Sequence, residues 1–387
     1  MKDFKADLDK RKADHLYRQR RVMSSPQGSE VTVDGRQLLA FCSNDYLGLS
    51  HHPVVATAMK RGIERYGVGS GAAHLITGHT EAHHALEEEL AEFVGRPRAL
   101  LFSTGYMANL GVISALTDRG DTVFEDRLNH ASLIDGGMLS RAAVKRFHHG
   151  DMEALSRQLK ATDQGHKLVV TDGVFSMDGD TAPLVEMART CRENDAWLMV
   201  DDAHGFGVLG PDGQGTLSDY GLGVEEAQIL VGTLGKAVGT FGAFVAGSET
   251  LIETLIQKAR PYIYTTAPPP AVAEATRAAL KVIKTEAWRR ERLVELVKRF
   301  RKGARELGLI LMPSETPIQP ILLGESQRVL AWSKQLEQAG ILVSAIRPPT
   351  VPEGMARLRV TFSADHREAD VDRLLASLEA VAAGESK

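Results

Sequence analysis

Apolar and polar positions along this chain follow two alternating periods. Short apolar runs at Ala99–Ser103, Thr122–Glu125, Leu168–Thr171, Trp197–Val200 and Ile229–Val231 read as buried strands, each ending in a polar or glycine-containing turn. Between them, apolar residues recur every third or fourth position. This predicts helices over Thr80–Phe93, Met107–Leu116 and Leu184–Asn194. In the first, Ala85, Leu86 and Leu90 form the apolar stripe and Glu87–Glu89 point outward. Repeated strand–helix units predict an α/β fold: a large, mainly parallel sheet with helices on both faces.

The flanks read differently. Residues 3–21 predict a charged amphipathic helix with Phe4, Leu8, Lys12, His15 and Leu16 along one side. Val31–Ala40 reads as a hairpin about Asp34-Gly35, and the turn-rich stretch Phe41–Ser50 presents Asn44. Residues 66–78 form a glycine-rich loop. After Pro268-Pro269-Pro270 come two long helices, Ala271–Lys284 and Glu286–Leu307. A strand at Ile318–Leu322, a helix Gln327–Gln338, strands Leu342–Ile346 and Arg357–Phe362 and a helix Ala369–Ala383 follow. The expected organisation is an N-terminal segment 1–50 packing with a small α/β domain 271–387, around a large domain 51–270.

Composition narrows the class. In 387 residues, 43% are hydrophobic and 25% charged, as in ordinary globular proteins. A net charge of −4 predicts no affinity for nucleic acid or acidic membrane surfaces. No apolar run approaches membrane-spanning length. Asp3, Asp7, Asp9 and Asp14 argue against a transit peptide, and the two cysteines, Cys42 and Cys191, read as reduced and buried. A cytoplasmic enzyme is expected.

The chemistry centres on ILVGTLGKAVG, residues 229–239. The apolar run ends at Gly232, and Lys236 follows in a tight, glycine-flanked turn. Desolvation there lowers a lysine's pKa and frees its amine as a nucleophile. A Schiff base with an aldehyde cofactor needs such an amine; a solvated loop lysine is the plain alternative. Thr104, His130, Ser176, Asp201, His204, Thr233 and Lys236 all stand just past strand ends, where such sheets bind ligands. A pyridoxal phosphate site needs a lysine, an acid for the pyridine nitrogen, a stacking group and a phosphate cup. Lys236, Asp201 and His130 supply the first three, and His204 can reach the ring's phenolic oxygen. Thr104-Gly105-Tyr106 opens a helix whose N-terminus can take the phosphate or simply be capped.

Two other motifs fail on context. Gly205–Gly210 satisfies G-x-G-x-x-G, but Asp201–His204 separates it from its strand, and Pro211-Asp212-Gly213 breaks the helix that should follow. A nucleotide P-loop fails because Ala237 stands where a Ser or Thr should be. No spacing of His, Cys and carboxylates suggests a metal site, so none is expected.

The pattern D-x-A-H-G (Asp201–Gly205) then T-x-G-K (Thr233–Lys236) resembles the fold-type I pyridoxal-phosphate enzymes, and within them the α-oxoamine synthases. The likeness extends through SNDYLGLS (43–50), GSGAAHLITG (69–78), DRLNHASLIDG (126–136), GVFSMDGDTAPL (173–184) and LMVDDAHGFGVLG (198–210). The resemblance implies pyridoxal 5'-phosphate held on Lys236, with Asp201 on the ring nitrogen and His130 stacked on the ring. It places His204 and Ser176 near the phenolic oxygen, and Thr104, Gly105, Tyr106 and Thr233 on the phosphate. Thr265 or Thr266 would come from a second subunit, implying a homodimer with sites at the interface. Arg359 would hold an amino-acid carboxylate, with Asn44 nearby and Arg18 and Thr350 along the acyl side. The stretch IRPPTVPEGMARLRVT (346–361) narrows the likeness to the member that joins L-alanine to a pimeloyl thioester, of coenzyme A or a carrier protein. A relative using glycine and an acetyl thioester is the alternative within the family. A catalytically silent cofactor-fold module is the alternative outside it. His74 stands where many relatives carry arginine, and no role is assigned to it.

Overall fold

The computed structural model describes residues 4–14 and 16–385. Contacts gather them into two units. One holds the residues up to Gly48, Met177–Gly179 and those from Glu291 on; the other holds Leu49–Ser176 and Asp180–Arg290.

In the first unit the chain begins with α1 (Phe4–Ala13). The helix expected over 3–21 stops at Ala13 and buries no residue, so Leu16 lies outside it; residue 3 and His15 fall outside the described residues. A run this charged has no core face to extend a helix along. Strands β1 (Glu30–Val33) and β2 (Arg36–Ala40) form the expected hairpin, with Asp34 and Gly35 at φ 50° and 75°. Those two positive φ values mark a tight two-residue hairpin turn.

The second unit opens with α2 (Pro53–Tyr66), a π-helical turn at His74–Gly78 inside the expected loop, and α3 (Glu81–Phe93). The alternating core follows. It comprises β3 (Arg98–Phe102), α4 (Gly105–Leu116), β4 (Thr122–Asp126), α5 (Ala131–Ser140), β5 (Ala143–Phe147) and α6 (Met152–Lys160). It continues with β6 (Lys167–Asp172), α7 (Leu184–Glu193), β7 (Trp197–Asp201), α8 (Thr216–Asp219), β8 (Ile229–Thr233) and β9 (Ala243–Gly247). Helices α9 (Glu249–Lys258), α10 (Arg260–Ile263) and α11 (Pro270–Thr285) close the unit. The strand order is β3-β9-β8-β7-β6-β4-β5. β9 runs antiparallel to both its neighbours, and every other pair is parallel. Strands β4, β7, β8 and β9 are almost wholly buried, as expected of a sheet covered on both faces.

One close approach matters for the site. A Cβ at Gly136 in α5 would lie 2.7 Å from Ile113 Cδ1 and 3.3 Å from the Asn109 carbonyl oxygen of α4. Glycine therefore sets how near α5 comes to α4.

The first unit resumes beyond Arg290, within α12 (Trp288–Glu306). The contacts thus part here rather than after Pro270, because α11 packs on α2 and α3. The rest is β10 (Ile318–Gly324), α13 (Ser326–Gln338), β11 (Ile341–Leu342), β12 (Ser344–Ile346), β13 (Ala356–Thr361) and α14 (Glu368–Glu385). The single strand expected over Leu342–Ile346 is two: β11 pairs with β2, and β12 pairs with β13 in a separate antiparallel sheet with β10.

Candidate active site

The carboxyl ends of the parallel strands collect the second unit's polar side chains. Register pairs Asp172, the last residue of β6, with Asp201, the last of β7. Both are buried. Burial, reinforced by the Asp201 charge, pushes Asp172 well above the usual carboxylate range. Asp201 Oδ1 accepts from the Ala203 N–H at 3.1 Å, and Oδ2 accepts from Asn109 Nδ2 at 2.6 Å.

Beyond β8, Thr233 Oγ1 donates to the Gly242 carbonyl at 3.2 Å and braces the turn that carries Lys236. Lys236 is half-buried, and its Nζ lies 2.8 Å from Nε2 of the buried His204. His130 follows β4. Its N–H donates to Asp172 Oδ2 at 2.7 Å, and its Nδ1 lies 2.7 Å from Ser132 Oγ. His130 keeps open surface as a residue, yet its surroundings hold its pKa below the usual value. Burial is the main cause; Asp201 opposes it and Lys236 adds to it.

Thr104 caps α4, its Oγ1 accepting from the Met107 N–H at 3.2 Å. Its hydroxyl is therefore an N-cap. The N–H groups of Gly105 and Tyr106 are first-turn donors, with no helical carbonyl behind them. The exposed Tyr106 bonds the Asp135 carboxylate through its hydroxyl. Ser176 is half-buried at the end of its segment. Thr265 is half-buried and Thr266 exposed, just past α10.

The first unit holds the remaining expected residues. Arg359 on β13 is buried, and donates from Nη1 and Nη2 to Asn44 Oδ1 at 3.2 Å each and from Nη1 to Thr361 Oγ1 at 3.0 Å. Arg18 and Thr350 are exposed, the latter in a turn closed by its N–H to the Arg347 carbonyl.

The residues present fit pyridoxal phosphate. Two buried carboxylates on adjacent strand ends favour a cation between the strands and the lysine, and a protonated ring nitrogen supplies one. A Cβ at Gly105 would meet nothing within 4 Å, so the start of α4 is open to an anion. The G-x-G-x-x-G stretch does not fit a dinucleotide: only the short helix α8 follows it, and Gly205 packs against the Asp202 carboxylate.

Sequence reasoning missed Asp172, Asn109 and Ser132. Asn109 had a visible signal, a lone amide in the apolar run GYMANLGVISAL. Asp172 had one in its position as the last residue of a buried strand.

Aminotransferase class I and II is the family whose model matches residues 36–378, and the chain belongs to that family. Among curated relatives it is similar to the 8-amino-7-oxononanoate synthase of Nitrosococcus oceani, 63% identical over 372 residues that cover 96% of this chain and 99% of the relative. The fold is shared with serine palmitoyltransferase from S. paucimobilis solved with a bound PLP–myriocin aldimine. That match has TM-score 0.93 and 31% identity over 98% of this chain and 96% of the other. It is also shared with 8-amino-7-oxononanoate synthase from Francisella tularensis, with TM-score 0.79 and 33% identity over 90% of this chain and 99% of the other. No described helix is long and apolar enough to cross a membrane.

Proposed function

We propose that this chain is a pyridoxal-phosphate-dependent acyltransferase of biotin biosynthesis. It condenses L-alanine with a pimeloyl thioester and gives 8-amino-7-oxononanoate, carbon dioxide and the free thiol. The observation that carries this reading is the pair Asp172 and Asp201 on adjacent strand ends with Lys236 in the turn beyond the next strand, in a chain 63% identical to a synthase of that name.

When bound, the cofactor supplies an electron sink for the carbanion at alanine's Cα. The chain's residues do the rest. Lys236 carries the aldehyde at rest and then moves the Cα proton as general base. Asp201 keeps the ring nitrogen protonated, and His130 stacks on the ring. His204 and Ser176 hold the phenolic oxygen. Gly105 and Tyr106, with Thr104 and Thr233, hold the phosphate, joined by Thr266 or Thr265 of a second copy in a homodimer. Arg359 and Asn44 take the alanine carboxylate, since a guanidinium suits a planar anion. Arg18 and Thr350 line the path of the acyl chain.

The test is a product assay by mass. Purified protein is given L-alanine with pimeloyl-coenzyme A or pimeloyl carrier protein, beside glycine with acetyl-coenzyme A. Formation of 8-amino-7-oxononanoate is expected from one or both pimeloyl donors. Product from glycine and acetyl-coenzyme A alone would overturn the substrate assignment.

A further inference from the structure

Asn109 and Ser132 are fully buried, at 0% and 1% exposure, and have no place among the groups assigned above. They nevertheless join two of them. Asn109 Nδ2 donates to Asp201 Oδ2 at 2.6 Å and to Ser132 Oγ at 2.8 Å. Ser132 Oγ stands 2.7 Å from His130 Nδ1, and the Ser132 backbone N–H donates to the same nitrogen at 3.3 Å. We propose that Asn109 and Ser132 are positioning residues, which lock the His130 imidazole with Nδ1 as acceptor and the proton on Nε2.

The hydrogen count leaves one solution. The amide orientation of Asn109 follows from Asp201, because a flipped amide would set its oxygen against a carboxylate oxygen. Its NH2 carries two hydrogens, one for Asp201 and one for Ser132. The Ser132 backbone N–H can only donate, so Nδ1 accepts it at 3.3 Å and carries no hydrogen of its own. Ser132 Oγ, accepting from Asn109, then gives its single hydrogen to the same Nδ1. An imidazole nitrogen that accepts carries no proton, so a neutral His130 holds its hydrogen on Nε2. The residue's own backbone is held in place as well, its N–H donating to Asp172 Oδ2 at 2.7 Å. Under the function proposed above, on which this step rests, Nε2–H is a donor for the thioester carbonyl oxygen. The tautomer itself does not depend on that reading.

The test uses the full-length protein without cofactor or substrate, labelled with 15N-histidine; His130→Asn identifies the His130 signals. The expected spectrum shows an unprotonated Nδ1 and a protonated Nε2. Ser132→Ala removes the shorter donor to Nδ1, so it should raise the His130 pKa and give a tautomer mixture, while Ser132→Thr restores the wild-type pattern. In the cofactor-loaded enzyme Ser132→Ala should lower kcat about fivefold to tenfold, the scale of one lost hydrogen bond, with little change in KM for alanine. A protonated Nδ1 in the wild type would overturn the proposal, as would a Ser132→Ala protein whose His130 titrates and partitions as in the wild type. Asn109→Ala should shift the same signals; if it does not fold, Ser132→Ala carries the test alone. A protein with the expected tautomer but no product from alanine and pimeloyl thioesters would sink the functional reading and leave this one standing.

Discussion

Asp201 and Asp202 are consecutive, buried and charged by type, yet their surroundings make different use of them. Side-chain direction alternates at a strand end, so the two carboxylates face different neighbours. Asp201 takes one backbone N–H, that of Ala203, but otherwise meets side chains: Asn109 directly, Asp172 across the sheet, and through them His130. Asp202 meets backbone. Its Oδ2 accepts from the Thr216 N–H at 2.7 Å, and a Cβ at Gly205 or Gly215 would come within 2.2 or 1.9 Å of its carboxylate. Burial pushes Asp202 up to about 8, against the hydrogen bonds from Thr216. The contrast teaches that burial alone does not make a carboxylate chemical. One carboxylate joins the side chains of the proposed site; the other fixes a loop.

The contrast can be broken from either side. The largest expected effect is on the reaction side. Lys236→Ala should cut kcat/KM by about 10⁴-fold or more, with Tm little changed; near-wild-type product formation would remove the lysine from the chemistry. Asp201→Asn should lower turnover by about 10²-fold or more, while Asp202→Asn keeps most of it. Equal losses in the two variants, measured as kcat/KM for alanine, would erase the distinction.

On the packing side, Gly215→Ala places a methyl group on the Asp202 carboxylate at a residue with φ 107°. It should cost about 2–3 kcal/mol in urea unfolding, with activity per folded molecule retained. The pH dependence sharpens the point. Asp202 is raised in the folded state, so the folded protein holds a proton that the unfolded chain releases above its own lower pKa. Stability from this group is full below about pH 4 and is lost as pH rises toward about 8. Asp202→Asn should flatten that slope in Tm against pH; an unchanged slope would assign it to other groups.

The smallest effect lies at a third acid, Asp126, at the end of β4. His149 bridges it to Asp180, at 3.1 and 2.8 Å, and these partners raise the His149 pKa to about 10. The sign is the same as that of Asp202, but the window lies higher. The stabilisation is full below about pH 6.5 and fades as pH rises through about 10. His149→Gln should cost about 1 kcal/mol at neutral pH and less at pH 10, read by urea unfolding.

Much of the site was legible because strand ends can be read from apolar runs. Lys236, Asp201, Thr233 and His204 each follow such a run, and the structure sets them at the ends of β7 and β8 or in the turns beyond. What connects them was not legible. Asn109 meets Asp201 across ninety-two positions of sequence, and no local period reports such a contact. Residues 53–66 form a helix whose apolar Val54, Met59 and Ile63 stay exposed while Val55 and Gly62 are buried, so apolar positions alone do not mark its packed face. Strand β9, AFVAG, follows Gly242 and ends on Gly247, so its short apolar run merges with the glycine-containing turns around it. His149 illustrates another limit: a histidine's ordinary role as a satisfied polar group says nothing of the two carboxylates that charge it.

Gly136 has no place in the proposed chemistry, yet it bears on the proposed His130 network by omission. With no methyl on α5 to wedge against Ile113, the two helices lie near enough for a hydroxyl on one to reach an amide on the other. Spacing between helices thus becomes proton placement on a ring several residues away. A lineage could retune this imidazole by thickening an inert contact, leaving every polar atom of the machinery in place.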